Sequence, residues 1–78
     1  MNWDQVQGKW KQMKGSVKQE WGKLTDDDLD VIGGARDKLV GKIQERYGIA
    51  REEAQKRADE WLKTVPQDYD RERTTSKL

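Results

Sequence analysis

Apolar side chains recur along the first part of the chain at spacings of three and four residues. They are Trp3, Val6, Trp10, Met13, Val17, Trp21 and Leu24. Because an α-helix has about 3.6 residues per turn, these positions fall on one helical face, whereas a strand would alternate every second residue. The pattern predicts a long first helix that ends at Gly22, since many helices terminate in a left-handed glycine.

A short second helix is predicted directly after this glycine. Thr25 is a good N-terminal capping residue, and residues 26–28 place three aspartates in the first turn, where carboxylates complement the positive end of a helix. Leu29 and Ile32 are then the inward side chains, and the pair at 33–34, Gly-Gly, ends the element.

Two further helices follow, from about Ala35 to Tyr47 and from about Arg51 to Lys63. Gly48 closes the first of them, and the second begins without a good capping residue. Each carries one apolar face: Leu39, Val40, Ile43 and Tyr47 in the third helix, and Ala54, Ala58, Trp61 and Leu62 in the fourth. The sequence therefore predicts four helices.

The two halves of this helical region echo each other at an offset of 26 residues. The matched pairs are Met13 and Leu39, Gly15 and Gly41, Val17 and Ile43, and Trp21 and Tyr47. A match of this length also arises by chance, so the repeat is a hypothesis. If it is genuine, each half is a helical hairpin, and packing the two hairpins together buries both apolar stripes. The predicted fold is a small all-α, four-helix domain.

The domain is predicted to cover residues 1–64. Residues 65–78 contain Pro66 and almost nothing apolar after it, which is typical of a disordered, flexible polar tail. Two glycines on the outer face of the first helix, Gly8 and Gly15, have two explanations. Either another backbone approaches closely there, or the helix is marginal or begins later than the pattern suggests.

Composition narrows the function classes. Of the 78 residues, 32% are hydrophobic and 40% are charged, and the chain has no cysteine and no histidine. These absences remove disulfide scaffolds, zinc fingers, thiol nucleophiles and histidine acid–base chemistry, so we expect a non-enzymatic protein without a cofactor. No apolar run approaches the ~20 residues of a membrane span. The first residues lack the features of a signal peptide, which predicts a cytoplasmic protein.

The acidic run at residues 26–30 has some of the spacing of a metal site. Its Asp-x-Asp-x-Asp spacing resembles the start of a calcium loop, which needs glycine at position six and glutamate at position twelve. Those positions are Val31, predicted inside the second helix, and Asp37. The run is therefore interpreted as helix capping, with no metal.

One constellation could form a binding surface. Lys11, Lys14 and Lys18 lie on one stripe of the first helix, flanked by Trp10 and Trp21. Basic side chains beside aromatic ones can follow phosphates and stack on bases. The alternative is structural: tryptophans at core spacing pack inside, and boundary lysines keep their ammonium groups in water. The net charge of only +1 lacks the basic excess of a dedicated nucleic-acid binder, and both interpretations stay open.

Two sequence blocks carry a family resemblance. They are Trp-Lys-Gln-Met-Lys-Gly-Ser-Val-Lys-Gln-Glu-Trp-Gly-Lys-Leu-Thr-Asp-Asp-Asp at residues 10–28 and Arg-Asp-Lys-Leu-Val-Gly-Lys-Ile-Gln-Glu-Arg-Tyr-Gly at residues 36–48. With the flanking pattern over residues 1–62, the chain resembles the CsbD-like family of small bacterial general-stress proteins. The resemblance implies a cytoplasmic, stress-induced protein whose two packed hairpins are similar to sterile-alpha-motif-like domains. It supplies no catalytic or binding residues.

Two classes of function follow from these observations. The first is a non-enzymatic stress-response protein that shields client proteins in bulk, as hydrophilins do, through very polar and well-hydrated surfaces. The second is a module that binds nucleic acid or an acidic protein through the stripe on the first helix. We expect a monomer, with self-association through an incompletely covered aromatic such as Trp3 as the alternative.

Overall fold

The computed structural model describes residues 2–65, and this part of the chain is all-helical, with five α-helices and no strand. The helices are α1 (Trp3–Gly8), α2 (Trp10–Glu20), α3 (Asp26–Ile32), α4 (Arg36–Tyr47) and α5 (Arg51–Thr64). The predicted all-α class is confirmed. Of the predicted tail, residues 66–78 lie outside the described part of the chain.

The first predicted helix is divided at Lys9, which raises the helix count from four to five. Lys9 has φ −114° and ψ 26°, and its N–H donates to the carbonyls of Gln5 at 3.0 Å and Val6 at 3.3 Å. The division follows Gly8, a residue with low helix propensity. Apolar spacing did not reveal it because Val6 and Met13, on either side of the break, are both fully buried.

The end of α2 also differs from the prediction. Gly22 does not adopt a left-handed conformation, and the residue that caps α2 is Trp21, with φ −122° and ψ 78°. The Lys18 ammonium group donates to the carbonyls of Gly22 and Leu24 in the following loop. The Leu24 N–H donates to the Trp21 carbonyl at 3.0 Å, so the chain leaves α2 through a hydrogen-bonded turn over residues 21–24 in which Gly22 does not have a positive φ.

The remaining helix boundaries agree with the sequence to within one residue. Thr25 caps α3 as predicted, since its Oγ1 accepts a hydrogen bond from the Asp28 N–H at 3.1 Å. Gly33 and Gly48 end α3 and α4 in the left-handed conformation, with φ of 54° and 63°. Ala50, before α5, provides no side-chain cap, as expected.

The predicted apolar faces form one core in the described part of the chain. Its buried members are Val6, Met13, Val17, Trp21, Leu24, Leu29, Ile32, Leu39, Val40, Ile43, Ala54, Ala58, Trp61 and Val65. Trp3, Trp10, Tyr47 and Leu62 are partly buried against them. Val65 extends this core one residue beyond α5. Val31 lies within α3, as predicted, but its side chain is 54% exposed and does not belong to this core.

The backbone at Gly34 packs directly against the backbone of α1. Gly34 has φ 91°, and a Cβ atom placed on it would lie 2.5 Å from the Cα atom of Gln7. The close backbone approach considered for Gly8 and Gly15 therefore occurs at Gly34 instead. At Gly8 and Gly15 a Cβ atom would meet nothing within 4 Å, so no other backbone approaches them. The alternative of a later start is wrong, because α1 begins at Trp3, and the marginal stability of the helix stays a prediction.

Helices α4 and α5 form the most extensive helix–helix contact, and α3 packs against α4. Residues 48–50 connect α4 to α5, so a tight link turns the chain back on itself. A bidentate ion pair fastens this contact at its other end, with Arg36 Nε and Nη2 each 3.0 Å from an oxygen of Asp59. The arrangement of the whole domain as two packed hairpins stays a prediction.

Candidate functional site

The two tryptophans of the predicted binding stripe take part in the packing of the fold. The indole Nε1 of Trp10 donates to the Leu29 carbonyl at 3.0 Å and so ties α2 to α3. Trp21 is only 3% exposed, and its ring lies 5.8 Å from that of Trp61. The structure therefore brings both rings against other helices.

Two of the three stripe lysines contact other groups of the chain. Lys14 Nζ lies 3.2 Å from a carboxylate oxygen of Asp30, and Lys18 donates to the loop carbonyls after α2. Lys11 is exposed. Lys11 is the stripe lysine without an ion pair or side-chain hydrogen bond among residues 2–65.

A groove on the surface next to Trp21 was not predicted. Its lining residues are Glu20, Trp21, Tyr47, Arg57, Glu60, Trp61 and Thr64, and its volume is about 270 Å³. Residues 57, 60, 61 and 64 are spaced as one face of a helix, which is the signal that could have placed them together from the sequence. The ends of α2 and α4 supply the other members. We call this feature the aromatic groove.

The aromatic floor of this groove is held by ring packing. The Trp61 ring centroid lies 6.0 Å from that of Trp3 and 5.8 Å from that of Trp21, with tilted planes of 35° and 58°. Such tilted pairs are favoured by the ring quadrupoles. Trp61 is thus fixed on two sides, and its exposed edge keeps a defined position in the groove.

The charges of the groove are mainly negative. Glu20 and Glu60 are exposed, and neither forms an ion pair or a side-chain hydrogen bond within residues 2–65. Arg57 is the basic member, and its Nε donates to Glu53 one turn earlier in α5 at 3.0 Å. Helices α2 and α4 both end at the groove, and a helix C-terminus adds partial negative charge.

Tyr47 already has a cation beside its ring. Lys23 Nζ lies 5.1 Å from the Tyr47 ring centroid, within the range of a cation–π contact, and Lys23 is not among the lining residues. The Lys23 N–H also donates to the Tyr47 hydroxyl at 3.4 Å. One side of the Tyr47 ring is therefore already occupied by a cation of the chain itself.

Asp28 is the buried charged residue of the described chain. Its side chain is 4% exposed and receives hydrogen bonds from Arg46 Nε at 2.8 Å and Nη2 at 3.0 Å, with Lys42 Nζ at 3.4 Å. The Arg46 guanidinium and the Thr25 N–H hold the Asp28 pKa far below its usual range. The sequence predicted Asp28 as a capping residue, which is correct, but not its partners on α4.

Asp59 also pairs with an arginine, although its side chain is 45% exposed. Its bidentate partner Arg36 lowers the Asp59 pKa, and Asp59 in turn raises the pKa of Arg36. Both shifted carboxylates are therefore stabilised in the ionised form by arginine. This suits a structural ion pair and opposes the raised pKa that a carboxyl needs to donate a proton near neutral pH.

No metal-binding cluster of three or more acidic side chains occurs among residues 2–65. The aspartates at 26–30 lie within α3, and one of them, Asp28, accepts a hydrogen bond from Arg46. Over the same residues, none of the helices has the length and apolar character needed to cross a membrane.

Comparison with known proteins gives one consistent family. The model of the family described as CsbD-like matches residues 4–56. UPF0337 protein YjbJ of Escherichia coli O6:H1 is 60% identical over 63 residues, covering 81% of this chain and 91% of its own. A UPF0337 protein of Pectobacterium atrosepticum is 62% identical over 61 residues, with 78% and 88% covered. Another, from Rhodopseudomonas palustris, is 60% identical over 65 residues, with 83% and 98% covered.

Proposed function

This chain belongs to the CsbD-like family, and from that membership we propose that it is a non-enzymatic bacterial stress-response protein that shields other proteins. It acts in the cytoplasm as a monomer, at low affinity and without a single catalytic centre. The clients are proteins that expose apolar segments when water is withdrawn or temperature changes.

One observation carries this proposal, the combination of a closed apolar core with a densely charged surface. Val31 is the exposed large apolar side chain of residues 2–65, while 40% of the whole sequence is charged. A folded body without an apolar patch stays dispersed at high concentration. Placed between partly unfolded clients, it lowers the frequency of contacts between their apolar segments.

The electrostatics of the carboxylates supports the non-enzymatic part of the proposal. Asp28 and Asp59, whose pKa values are shifted downward, are both held by arginines. An acid–base catalyst at neutral pH needs a shift in the opposite direction. The ion pairs are therefore assigned to folding.

A drying assay tests the shielding role. Lactate dehydrogenase is dried and rehydrated alone, with this protein, or with an equal mass of an unrelated globular protein. We expect a higher recovered activity with this protein, increasing with its mass ratio to the enzyme. Recovery equal to that with the unrelated protein would contradict the proposal.

A second candidate function is phosphate recognition by the stripe on α2. The observation that favours it is that Glu20 is the single acidic residue within α2, while Lys11 is exposed. Binding to a short DNA duplex should weaken steeply as salt increases, and Lys11→Gln should reduce the salt slope by about 1.

Lys56→Gln is the matched control for this experiment, since Lys56 is exposed on α5 and the substitution removes the same charge. Equal binding by the two variants, or no binding at low salt, would eliminate the stripe as a phosphate site.

A further inference from the structure

The aromatic groove has the features of a site for a positively charged group. Two exposed carboxylates, Glu20 and Glu60, line it without an ion-pair partner among residues 2–65. The C-terminal ends of α2 and α4 add partial negative charge at the same place. The opposing charges are Arg57, which is paired with Glu53, and Lys23, which lies beside Tyr47 outside the lining. The two unpaired carboxylates therefore make the groove more favourable for a cation than for an anion.

The size of the groove limits what can enter. At about 270 Å³ it is smaller than the ~300–1,000 Å³ of pockets that take whole drug-sized ligands. One long side chain is therefore a better fit than an entire small molecule. The side chain must be cationic at its end and must tolerate the indole edges of Trp21 and Trp61.

We propose that the aromatic groove binds the guanidinium group of an arginine side chain presented by a protein partner. A guanidinium is planar and stacks on aromatic rings, and its several N–H groups can donate to carboxylates at the same time. Glu20 and Glu60 accept these hydrogen bonds, while Tyr47 and the exposed edge of Trp61 contact the methylene stem. A lysine ammonium group lacks both the planar surface and the fork of donors.

Arg57 is the element of the groove that opposes this assignment, and its environment explains why it does not prevent binding. Its guanidinium donates to Glu53 at 3.0 Å, so its charge is compensated within α5. Its positive charge still repels an incoming cation. Arg57→Gln should therefore increase the affinity for an arginine side chain.

An NMR titration of the full chain tests the proposal, with the tripeptide acetyl-Gly-Arg-Gly-amide as the probe. We expect saturable shifts of the Trp21 and Trp61 indole N–H signals. Trp10 serves as an internal control because its indole is bonded to Leu29, outside the groove. The same peptide with citrulline in place of arginine has the same shape without the charge and should cause no saturable shift. The lysine peptide should bind at least about threefold more weakly.

Two charge-matched variants make the test specific. Glu20→Gln combined with Glu60→Gln should weaken binding of the arginine peptide roughly three- to tenfold, as expected for two exposed ion pairs. Glu45→Gln combined with Glu52→Gln removes the same charge from exposed positions outside the groove and should bind like the natural chain. Equal affinities of the two double variants would overturn the proposal, as would equal binding of the arginine, lysine or citrulline peptides.

This inference goes beyond the shielding role and does not depend on it. Absence of protection in the drying assay would leave the titration unchanged, whereas an empty groove in the titration would leave bulk protection possible. A negative result in one experiment therefore contradicts only the proposal that this experiment tests.

Discussion

At Gly34 the absence of a side chain lets two parts of the backbone touch. Two requirements for glycine coincide there: the residue has φ 91°, and the α-hydrogen at the position of a Cβ atom faces the backbone of Val6 and Gln7. The sequence showed a Gly-Gly pair that ends a helix, and this was correct for Gly33. The contact of Gly34 with α1, 27 residues earlier, could not be inferred from local pattern.

Replacing Gly34 by alanine should destabilise the fold by about 2–5 kcal/mol, because a positive-φ conformation costs ~1–3 kcal/mol and the Cβ overlap a similar amount. The free energy of unfolding is measured by urea denaturation, with tryptophan fluorescence as the signal. Gly41→Ala is the control: a Cβ there meets nothing within 4 Å, and alanine should stabilise α4 by roughly 0.5–1 kcal/mol. Equal stabilities of the two variants would contradict the described contact.

Asp28 makes the stability of the fold dependent on pH in the acid range. Its folded-state pKa lies below the unfolded value near 4, so the ionised form is favoured by folding. The stabilisation is fully present above about pH 5 and decreases as the pH falls through ~4 towards the folded-state pKa. Asp28→Asn should therefore be less stable than the natural chain at pH 7, and the difference should shrink at pH 3.

Asp27→Asn is the control for this pH dependence. Asp27 lies in the same first turn of α3 and loses the same charge, but it is exposed and has no ion-pair partner among residues 2–65. Urea unfolding at pH 7, 4 and 3 should give a much smaller stability difference for this variant. If the loss of stability in Asp28→Asn stays constant with pH, the Arg46 pair does not stabilise the ionised carboxylate.

At the scale of the helix, most helix boundaries could be predicted from the sequence. The periodic faces of α4 and α5 placed their ends within one residue, because glycine stops and apolar spacing act locally. The division at Lys9 could not be predicted because Val6 and Met13 are buried in the same core. The three- and four-residue spacing of apolar side chains therefore continues across the break. Gly22 was misassigned because Trp21 caps α2 and the chain then enters a turn that the Leu24 N–H closes on the Trp21 carbonyl.

The N-termini of α3 and α5 allow a prediction about capping. Ala50 has extended backbone geometry, φ −68° and ψ 154°, and no side-chain cap. Ala50→Ser should stabilise the fold by about 0.5–1 kcal/mol, which corresponds to a rise in Tm of several degrees. Thr25→Ala removes the hydrogen bond to the Asp28 N–H and should cost about 1 kcal/mol. Thermal unfolding by circular dichroism measures both, and a lower Tm for Ala50→Ser would contradict the capping explanation.

The whole molecule depends on contacts that local sequence does not encode. Asp28 pairs with Arg46 and Arg36 with Asp59, across 18 and 23 residues. With fifteen acidic and sixteen basic side chains, the sequence offers very many such pairs. The aromatic groove has the same origin: Trp21 was singled out, but its neighbours Tyr47 and Glu60 come from α4 and α5. Only the packing of the helices selects these combinations.

The same packing predicts that the described domain unfolds as one unit. Helix α1 has only six residues, yet Val6 is fully buried and Trp3 contacts Trp61, so α1 shares the core of α5. Urea transitions measured by far-ultraviolet circular dichroism and by tryptophan fluorescence should coincide, with a slope near 1 kcal/mol per molar urea. The Trp10 indole N–H should exchange slowly, because it is bonded to the Leu29 carbonyl. Loss of helical signal before the fluorescence change would instead show that α1 detaches on its own, since short helices are stable only while packed.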